Sequence, residues 1–396
     1  MERLTLPPAS WRTRPGLDAL ATALGAEEGA ARYVGGAVRD TLLGLPVADI
    51  DIATAHPPQQ VITRLASAGI KAIPTGLAHG TITAVSAGTV VEVTTLRRDV
   101  ATDGRHAQVA FTDDWQEDAA RRDFTMNALY ADPVSGTLFD WFGGLDDLAA
   151  RRVRFIGDPY RRIAEDHLRI LRFFRFHARF GDTPDSAGLD ACTDRANDLM
   201  ALSRERIAAE LLKLLVAKGA VPVVALMVER GIFRPVLPEI VDVPALTALA
   251  EAEAAAGVAP DAIRRLAALI PPATAEAVGS RLRLSNADRK RLIAAHDGPG
   301  SEGARGLAYR VGREIALDRL LLAGADVEEL QDWSPPRLPV GGGDLVTRGI
   351  ARGPEVARAL REIETRWIAE GFPDASRTAQ IADMVTGQLL GADSNS

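Results

Sequence analysis

The sequence predicts an α+β protein: a small head built on a mixed sheet, followed by a long all-helical remainder. Three observations predict it. Short apolar runs of strand character alternate with helical pattern only up to about residue 145. From Pro159 to the region of Val340 the pattern is alanine- and leucine-rich helix with short loops. At 396 residues the chain is also too long for one ordinary core. The predicted division is a head at 1–148, a helical neck at 149–217, a helical body at 218–332 and a helical tail at 333–396.

Within the head, "ARYVGG" (31–36) and "VADIDIAT" (47–54) read as strands, with helical pattern in "AVRDTLLG" between them and "PPQQVITRLASAG" after them. "GTITAVSAG" (80–88) and "TVVEVTTLR" (89–97) read as a strand pair turned by "SAGTV". The polar, glycine-containing stretch 97–114 is predicted to be a mobile loop. A helix starting near Trp115 follows, then a short strand pair within 128–141. Beyond it, "RIAAELLKLLVAKG" and "AIRRLAALI" typify the helical region, and the proline- and glycine-rich joint "WSPPRLPVGGGD" precedes the last helical segment.

Composition narrows the class. Hydrophobic content of 47% with 25% charged residues is that of a soluble globular protein. The N-terminus lacks the apolar core of a secretory signal, and no run approaches a membrane span. The single cysteine, Cys192, excludes an internal disulfide and fits a reducing, cytoplasmic setting. A net charge of −7 argues against general nucleic-acid affinity. Its distribution argues for a local anionic partner, because residues 151–179 hold nine arginines against Asp158, Glu165 and Asp166.

Asp49 and Asp51 are two apart on a predicted strand, so both point to one face. Two carboxylates there can hold divalent cations, and Mg²⁺ takes few protein oxygens, completing its shell with water and substrate phosphates. Taken alone, the pair equally suits a solvated edge strand. Upstream, Gly35 and Gly36 lie at a strand-to-helix turn, where backbone N–H groups can approach a phosphate, and Arg39 adds a guanidinium fork. Together these residues outline a nucleoside triphosphate site.

These residues, "GGAVRDTLLGLPVADIDIAT", resemble the signature of the class II tRNA nucleotidyltransferase and bacterial poly(A) polymerase family, within the DNA polymerase β-like superfamily. "RRDFTMNAL" (121–129), "RRVRFIGDPYRRIAEDHLRILRFFRF" (151–176) and "RERIAAELLKLL" (204–215) resemble further blocks of that family, in its order. The resemblance implies a nucleotidyltransferase head that binds two Mg²⁺ at Asp49 and Asp51. It implies phosphate and ribose contacts from Arg122 and Asn127, beside Gly36 and Arg39. Arg121 and a third carboxylate, Glu92, are further candidates.

The same resemblance assigns base selection to Asp166 and Arg169. Three apart, they are expected to share one helix face, where the simplest reading is an intrahelical ion pair. Their hydrogen-bonding capacity also suits them to read a base. A carboxylate accepts from the cytosine N4 or adenine N6 amine, and a guanidinium donates to cytosine O2 and N3 or adenine N1. Arg172 and Arg175 continue at intervals of three, a slow spiral that can follow a triphosphate or an RNA end. The phenylalanines Phe173, Phe174, Phe176 and Phe180 are expected to be core.

Residues Arg98, Asp99, Asp103, Gly104, Arg105 and His106 are similar to the flexible loop of enzymes that add the terminal adenosine. The tail resembles the family at Gly342 and at Gly353-Pro354. The activity implied is addition of C, C and A to the tRNA 3′ end from CTP and ATP, with the acceptor and T-arm gripped by the helical part. A poly(A) polymerase, an enzyme adding only the final A, and a non-catalytic RNA-binding protein are the alternatives. No membrane and no required protein partner are expected.

Overall fold

The computed structural model describes residues 4–102 and 107–393, so Asp103, Gly104, Arg105 and His106 lie outside the described residues. The chain divides into two compact units, Met1–Ile240 and Val241–Ser396.

The first unit is built on a seven-stranded sheet. Its strands are β1 (Ala31–Val34), β2 (Asp51–Thr54), β3 (Lys71–Gly76), β4 (Thr81–Ser86) and β5 (Thr89–Thr95), with β8 (Tyr130–Ala131) and β9 (Leu138–Phe139) further along the chain. Their spatial order is β3-β4-β5-β2-β1-β8-β9. β2 and β5 run parallel, with Asp51 opposite Glu92, and all other neighbours are antiparallel. The turn between β4 and β5 is Ala87-Gly88, both in the left-handed region that a tight hairpin requires. Edge strand β3 has no counterpart among the predicted strands. Pro74 obscures it, since proline is confined to strands with a free side.

Alternation decides the faces of this sheet. Ile52, Ile82, Ala84, Val91 and Val93 are buried, and α1 (Leu17–Ala23) and α3 (Pro58–Ser67) contact this side of the sheet at β3 and β4. Asp51 and Glu92, in register, project from the opposite face. Regular pairing begins later than predicted. Glu92 N–H donates to Ile50 O at 3.0 Å, and Asp49 lies one residue ahead of the ladder.

The stretch 97–114 is not an irregular loop. It forms a second, two-stranded sheet of β6 (Arg97–Thr102) and β7 (Ala107–Phe111), with Arg97 paired to Phe111 and Asp99 to Val109. The alternating segment "AQVAF" is the strand that pairs with β6. Helix α4 (Trp115–Ala120) follows, capped by the Asp114 carboxylate, which accepts from Gln116 and Glu117 N–H at 2.7 and 3.4 Å.

After α2 (Gly36–Leu42) and α5 (Gly144–Ala149), the unit is completed by helices. These are α6 (Pro159–Glu165), α7 (Arg169–Phe180), α8 (Ser186–Asp194), α9 (Arg204–Leu215) and α10 (Ala220–Glu229). Phe124 joins the head to α7, packing on Phe155, Phe173 and Phe176 with ring centroids 5.0, 6.3 and 5.2 Å away. Phe173, Phe174, Phe176 and Phe180 are all buried, as the sequence predicts.

The second unit is helical, from α11 (Pro244–Ala255) to α19 (Ala375–Asp393). Charges hold its centre. Asp318 is fully buried and accepts from Arg264 Nε at 2.9 Å and from Arg291 Nε at 2.6 Å. Glu253, 1% exposed, takes Arg264 at 2.8 Å and Arg265 at 2.8 Å. No helix among the described residues is long and apolar enough to cross a membrane.

Removing one member of so buried a network strands the others. Asp318→Ala is expected to cost about 3–5 kcal/mol of unfolding free energy, seen as a lower urea midpoint at unchanged slope.

Candidate active site

Most of the residues predicted to meet a nucleotide converge on the outward face of the head sheet. The turn from β1 to α2 is set by Gly35, whose φ of +67° is a left-handed conformation suited to glycine. A side chain there would also stand 3.5 Å from Arg122 Nη1. The turn opens into a cavity of ≈ 480 Å³. Gly35, Gly36, Arg39, Asp51, Arg122, Asn127, Asp166, Arg169 and Arg172 line it, joined by Arg97, Arg121, Asp123 and Phe176. A cavity of this size is in the range of small-ligand and cofactor sites.

A chain of hydrogen bonds ties the sheet side to the helix side. Arg39, 6% exposed, donates from Nη1 to Asn127 Oδ1 at 2.6 Å and from Nε to Asp40 Oδ1 at 2.8 Å. Asn127 Nδ2 donates to Asp123 Oδ1 at 3.0 Å. Asp123 Oδ2 accepts from Arg172 Nε at 2.8 Å and Nη2 at 2.5 Å. Burial alone would raise the Asp123 pKa. Arg172, Asn127 and the Phe124 N–H outweigh it and hold the carboxyl at about 2.

A second anchor sits beneath Arg121 and Arg122. Asp118, 1% exposed, accepts from Arg121 Nε at 2.8 Å, Arg122 Nη2 at 3.2 Å and the Tyr130 hydroxyl at 2.6 Å. It also takes the Arg97 backbone N–H at 3.2 Å, at the root of the β6–β7 hairpin. Its carboxyl sits at about 2, because the arginines and Tyr130 more than offset its burial. Asp118 was legible as the i−3 and i−4 partner of two arginines, but only given the helix.

Two corrections concern the predicted base-reading and phosphate-following residues. Asp166 and Arg169 do not pair along one helix. Asp166 ends α6 in extended conformation, and Arg169 begins α7. Asp166 instead accepts from Arg206 Nη2 at 3.1 and 2.9 Å, and from Leu168 N–H at 3.1 Å. Arg169 donates to Glu165 Oε2 at 2.7 Å, Arg162 O at 2.9 Å and Arg121 O at 2.9 Å. The break aims both side chains into one cavity, which a continuous helix does not require. Arg175 is absent from the lining and pairs with Glu210, so the spiral stops at Arg172. Arg98, at the hairpin, lies outside the lining too, 3.7 Å from Glu117.

Asp51 occupies the boundary between this cavity and a second one of ≈ 400 Å³, lined also by Asp49, Glu92, Thr83 and Arg14. Its carboxyl is raised from 3.8 to about 6, first by burial and then by Glu92 and Asp49, against the pull of Arg122 and Arg39. Among the described residues no cluster of three or more His, Cys, Asp or Glu side chains is arranged to hold a metal ion. Two carboxylates on one face, with an unrelieved like-charge penalty, fit a hard divalent cation that takes its other ligands from water and phosphate. Glu92 shares that face and contributes charge.

A mixed sheet presenting two acids beside an arginine-lined cavity, with helices closing the far wall, defines a nucleotidyltransferase head. Residues 31–154 match the Poly A polymerase head domain, and residues 184–243 match the probable RNA and SrmB-binding site of polymerase A. The chain belongs to the family of CCA-adding tRNA nucleotidyltransferases and bacterial poly(A) polymerases. It is 37% identical over 359 residues to the mitochondrial CCA tRNA nucleotidyltransferase 1 of Danio rerio, covering 85% of this chain and 83% of that protein. It is 31% identical over 364 residues to the CCA-adding enzyme of Lacticaseibacillus paracasei, covering 87% and 89%. Among solved structures, the Bacillus stearothermophilus CCA-adding enzyme in complex with CTP superimposes with a TM-score of 0.69 at 27% identity, over 97% of this chain and 100% of that one.

The raised Asp51 pKa has a testable sign. The folded, metal-free protein holds this proton up to about pH 6, while the unfolded chain releases it near 3.8. The stabilisation is therefore full below pH 3.8 and is lost as pH rises toward 6. In urea titrations with chelator present, Asp51→Asn should flatten that decline and be the more stable form at pH 7.5. Adding Mg²⁺ should raise the wild-type midpoint more than the variant's.

Proposed function

We propose that this protein adds C, C and A to the 3′ end of tRNA, using CTP and ATP and releasing pyrophosphate, with no nucleic-acid template. One observation carries the reading. A single cavity presents an acid from the sheet, a row of arginines, and the Asp166–Arg169 pair at the helix break. A nucleoside triphosphate needs these three kinds of group: metal-binding acid at its α-phosphate, cations along its phosphates and a hydrogen-bonding pair at its base. Relatives named CCA tRNA nucleotidyltransferase at 36–37% identity over most of the chain support it.

In this reading Asp49 and Asp51 hold two Mg²⁺, which when bound would activate the attacking hydroxyl and neutralise the leaving pyrophosphate. The chain's own residues do the rest. The Gly35–Gly36 turn gives the triphosphate close access to backbone N–H groups. Arg39, Arg122 and Arg172 neutralise its charge, each held by a buried partner that limits its reorganisation. Asn127 orients the sugar. Asp166 retains acceptor capacity beyond Arg206 and Leu168, and Arg169 retains N–H groups beyond its three bonds. The pair can thus accept from the amine of C or A and donate to the adjacent ring nitrogen, whereas U and G present the wrong pattern. Catalysis is positioning and charge compensation.

The four-part division into head (1–148), neck (149–217), body (218–332) and tail (333–396) is proposed as one of function, the last two gripping the acceptor and T-arm by shape and phosphate contacts. The hairpin carrying Arg98 and Asp99 is proposed to serve addition of the final A. The cytoplasm is the proposed compartment, supported by the one buried cysteine, Cys192.

The test is incubation with tRNA lacking its CCA end and each labelled nucleotide in turn. CTP should enter first and ATP after it. Long tails from ATP alone would instead identify a poly(A) polymerase. Asp49→Ala and Asp51→Ala should each lower kcat by about a thousandfold or more, the several kcal/mol that a metal contributes. Asp166→Ala should weaken discrimination against UTP by roughly 10- to 100-fold, equivalent to about 1–3 kcal/mol.

A further inference from the structure

The two cavities that share Asp51 have opposite charge. The first is lined by Arg39, Arg97, Arg121, Arg122, Arg169 and Arg172 against three aspartates. The second is lined by three carboxylates, Asp49, Asp51 and Glu92, and by one cation, Arg14. A triphosphate belongs in the first. The attacking hydroxyl must reach the α-phosphate from the side away from the pyrophosphate, and the second cavity lies on the other flank of β2, toward β4 and β5. An RNA end entering there brings a phosphodiester charge into an acidic site, and Arg14 is the lining group that can receive it.

Arg14 is held in place for such a task. Its Nη2 donates to Val47 O at 3.0 Å and its Nη1 to Ala48 O at 3.4 Å, the two carbonyls directly ahead of Asp49. The segment carrying it is clamped to the β4–β5 turn. Thr89 Oγ1 donates to Pro15 O at 2.7 Å, and Gly16, at φ +77°, lies so close that a Cβ would stand 2.5 Å from Ser86 Oγ. Two of the five guanidinium N–H groups meet carbonyls. Among the described residues no carboxylate pairs with Arg14, although three line the same cavity. Arg14 also lies upstream of the stretch that matches the head domain, which begins at residue 31.

We propose that Arg14 is a positioning residue for the RNA primer. It binds the last internucleotide phosphate of the tRNA 3′ end while fixing the Val47–Ala48 segment, so that the terminal hydroxyl and Asp49 are set from one guanidinium. This inference rests on the tRNA reading above.

The experiment compares wild type, Arg14→Ala and Arg14→Lys on two tRNAs lacking CCA, one natural and one whose last phosphodiester is a neutral methylphosphonate. Arg14→Ala should raise the KM for natural tRNA about tenfold, the size of one charge-assisted hydrogen bond, with the KM for CTP changed less than about twofold. Arg14→Lys, which keeps the charge, should recover most of the loss. The methylphosphonate should cost wild type a similar factor and Arg14→Ala almost nothing. Equal penalties on wild type and Arg14→Ala would overturn the phosphate contact. A KM for CTP that rises as much as that for tRNA would reduce Arg14 to a structural clamp. If Arg14→Ala does not fold, Arg14→Met, which keeps the aliphatic stem without the charge, takes its place with the two tRNAs: a methylphosphonate penalty well below that of wild type supports the contact, and one equal to it refutes it. Failure of wild type to incorporate CTP on natural tRNA would sink the functional reading itself and leaves a different signature from any of these.

Discussion

The ion pair in which Arg172 Nε and Nη2 converge on Asp123 Oδ2 is the constraint on which the cavity depends. Asp123 belongs to the segment after α4, and Arg172 to α7, nearly fifty residues later. Beneath them Phe124, Phe155, Phe173 and Phe176 supply apolar adhesion. Apolar contact is non-directional and would tolerate sliding. A planar guanidinium on a carboxylate does not, and it fixes the angle at which helix meets sheet. Through Asn127 the same pair reaches Arg39, so one chain of hydrogen bonds sets the polar groups on both walls of the cavity.

Compensation around the site is deliberately uneven. Asp118 and Asp123 are surrounded by arginines and sit at about 2, whereas Asp51, also largely buried, sits at about 6. The residue type is identical in all three, and neighbours decide. The first two are finished structural anchors. Asp51 has Glu92 and Asp49 as like-charged neighbours, and the pull of Arg122 and Arg39 does not offset them and its burial. Rigid anchors beside an uncompensated acid separate the task of holding shape from the cation binding proposed for Asp51.

The helix break at Asp166 shows how local spacing can mislead. Asp166 and Arg169 are three apart, a pattern that predicts an intrahelical pair. A continuous helix would have let them neutralise each other. Extended backbone at Asp166 parts them, Arg206 and Glu165 take up their charges, and both side chains face the cavity. Arg206 comes from a helix forty residues on, and no sequence interval announces it.

The sequence by itself determined what depends on short intervals. The two acids two residues apart, the paired glycines with Arg39 one turn later and the shift from strand to helical pattern follow from periodicities of 2 and 3.6 residues, and the family resemblance added the residues of "RRDFTMNAL", Asp166 and Arg169. They delivered the fold class, the head and most of the lining. Only the tertiary structure decided which charges meet. It turned a polar stretch into the β6–β7 hairpin, withdrew Arg175 to Glu210, set Asp118 under two arginines and brought Arg14 onto the carbonyls ahead of Asp49. The physical reason is that backbone periodicity is local, whereas the partner of a buried charge is whichever opposite group the packed chain brings within hydrogen-bonding distance.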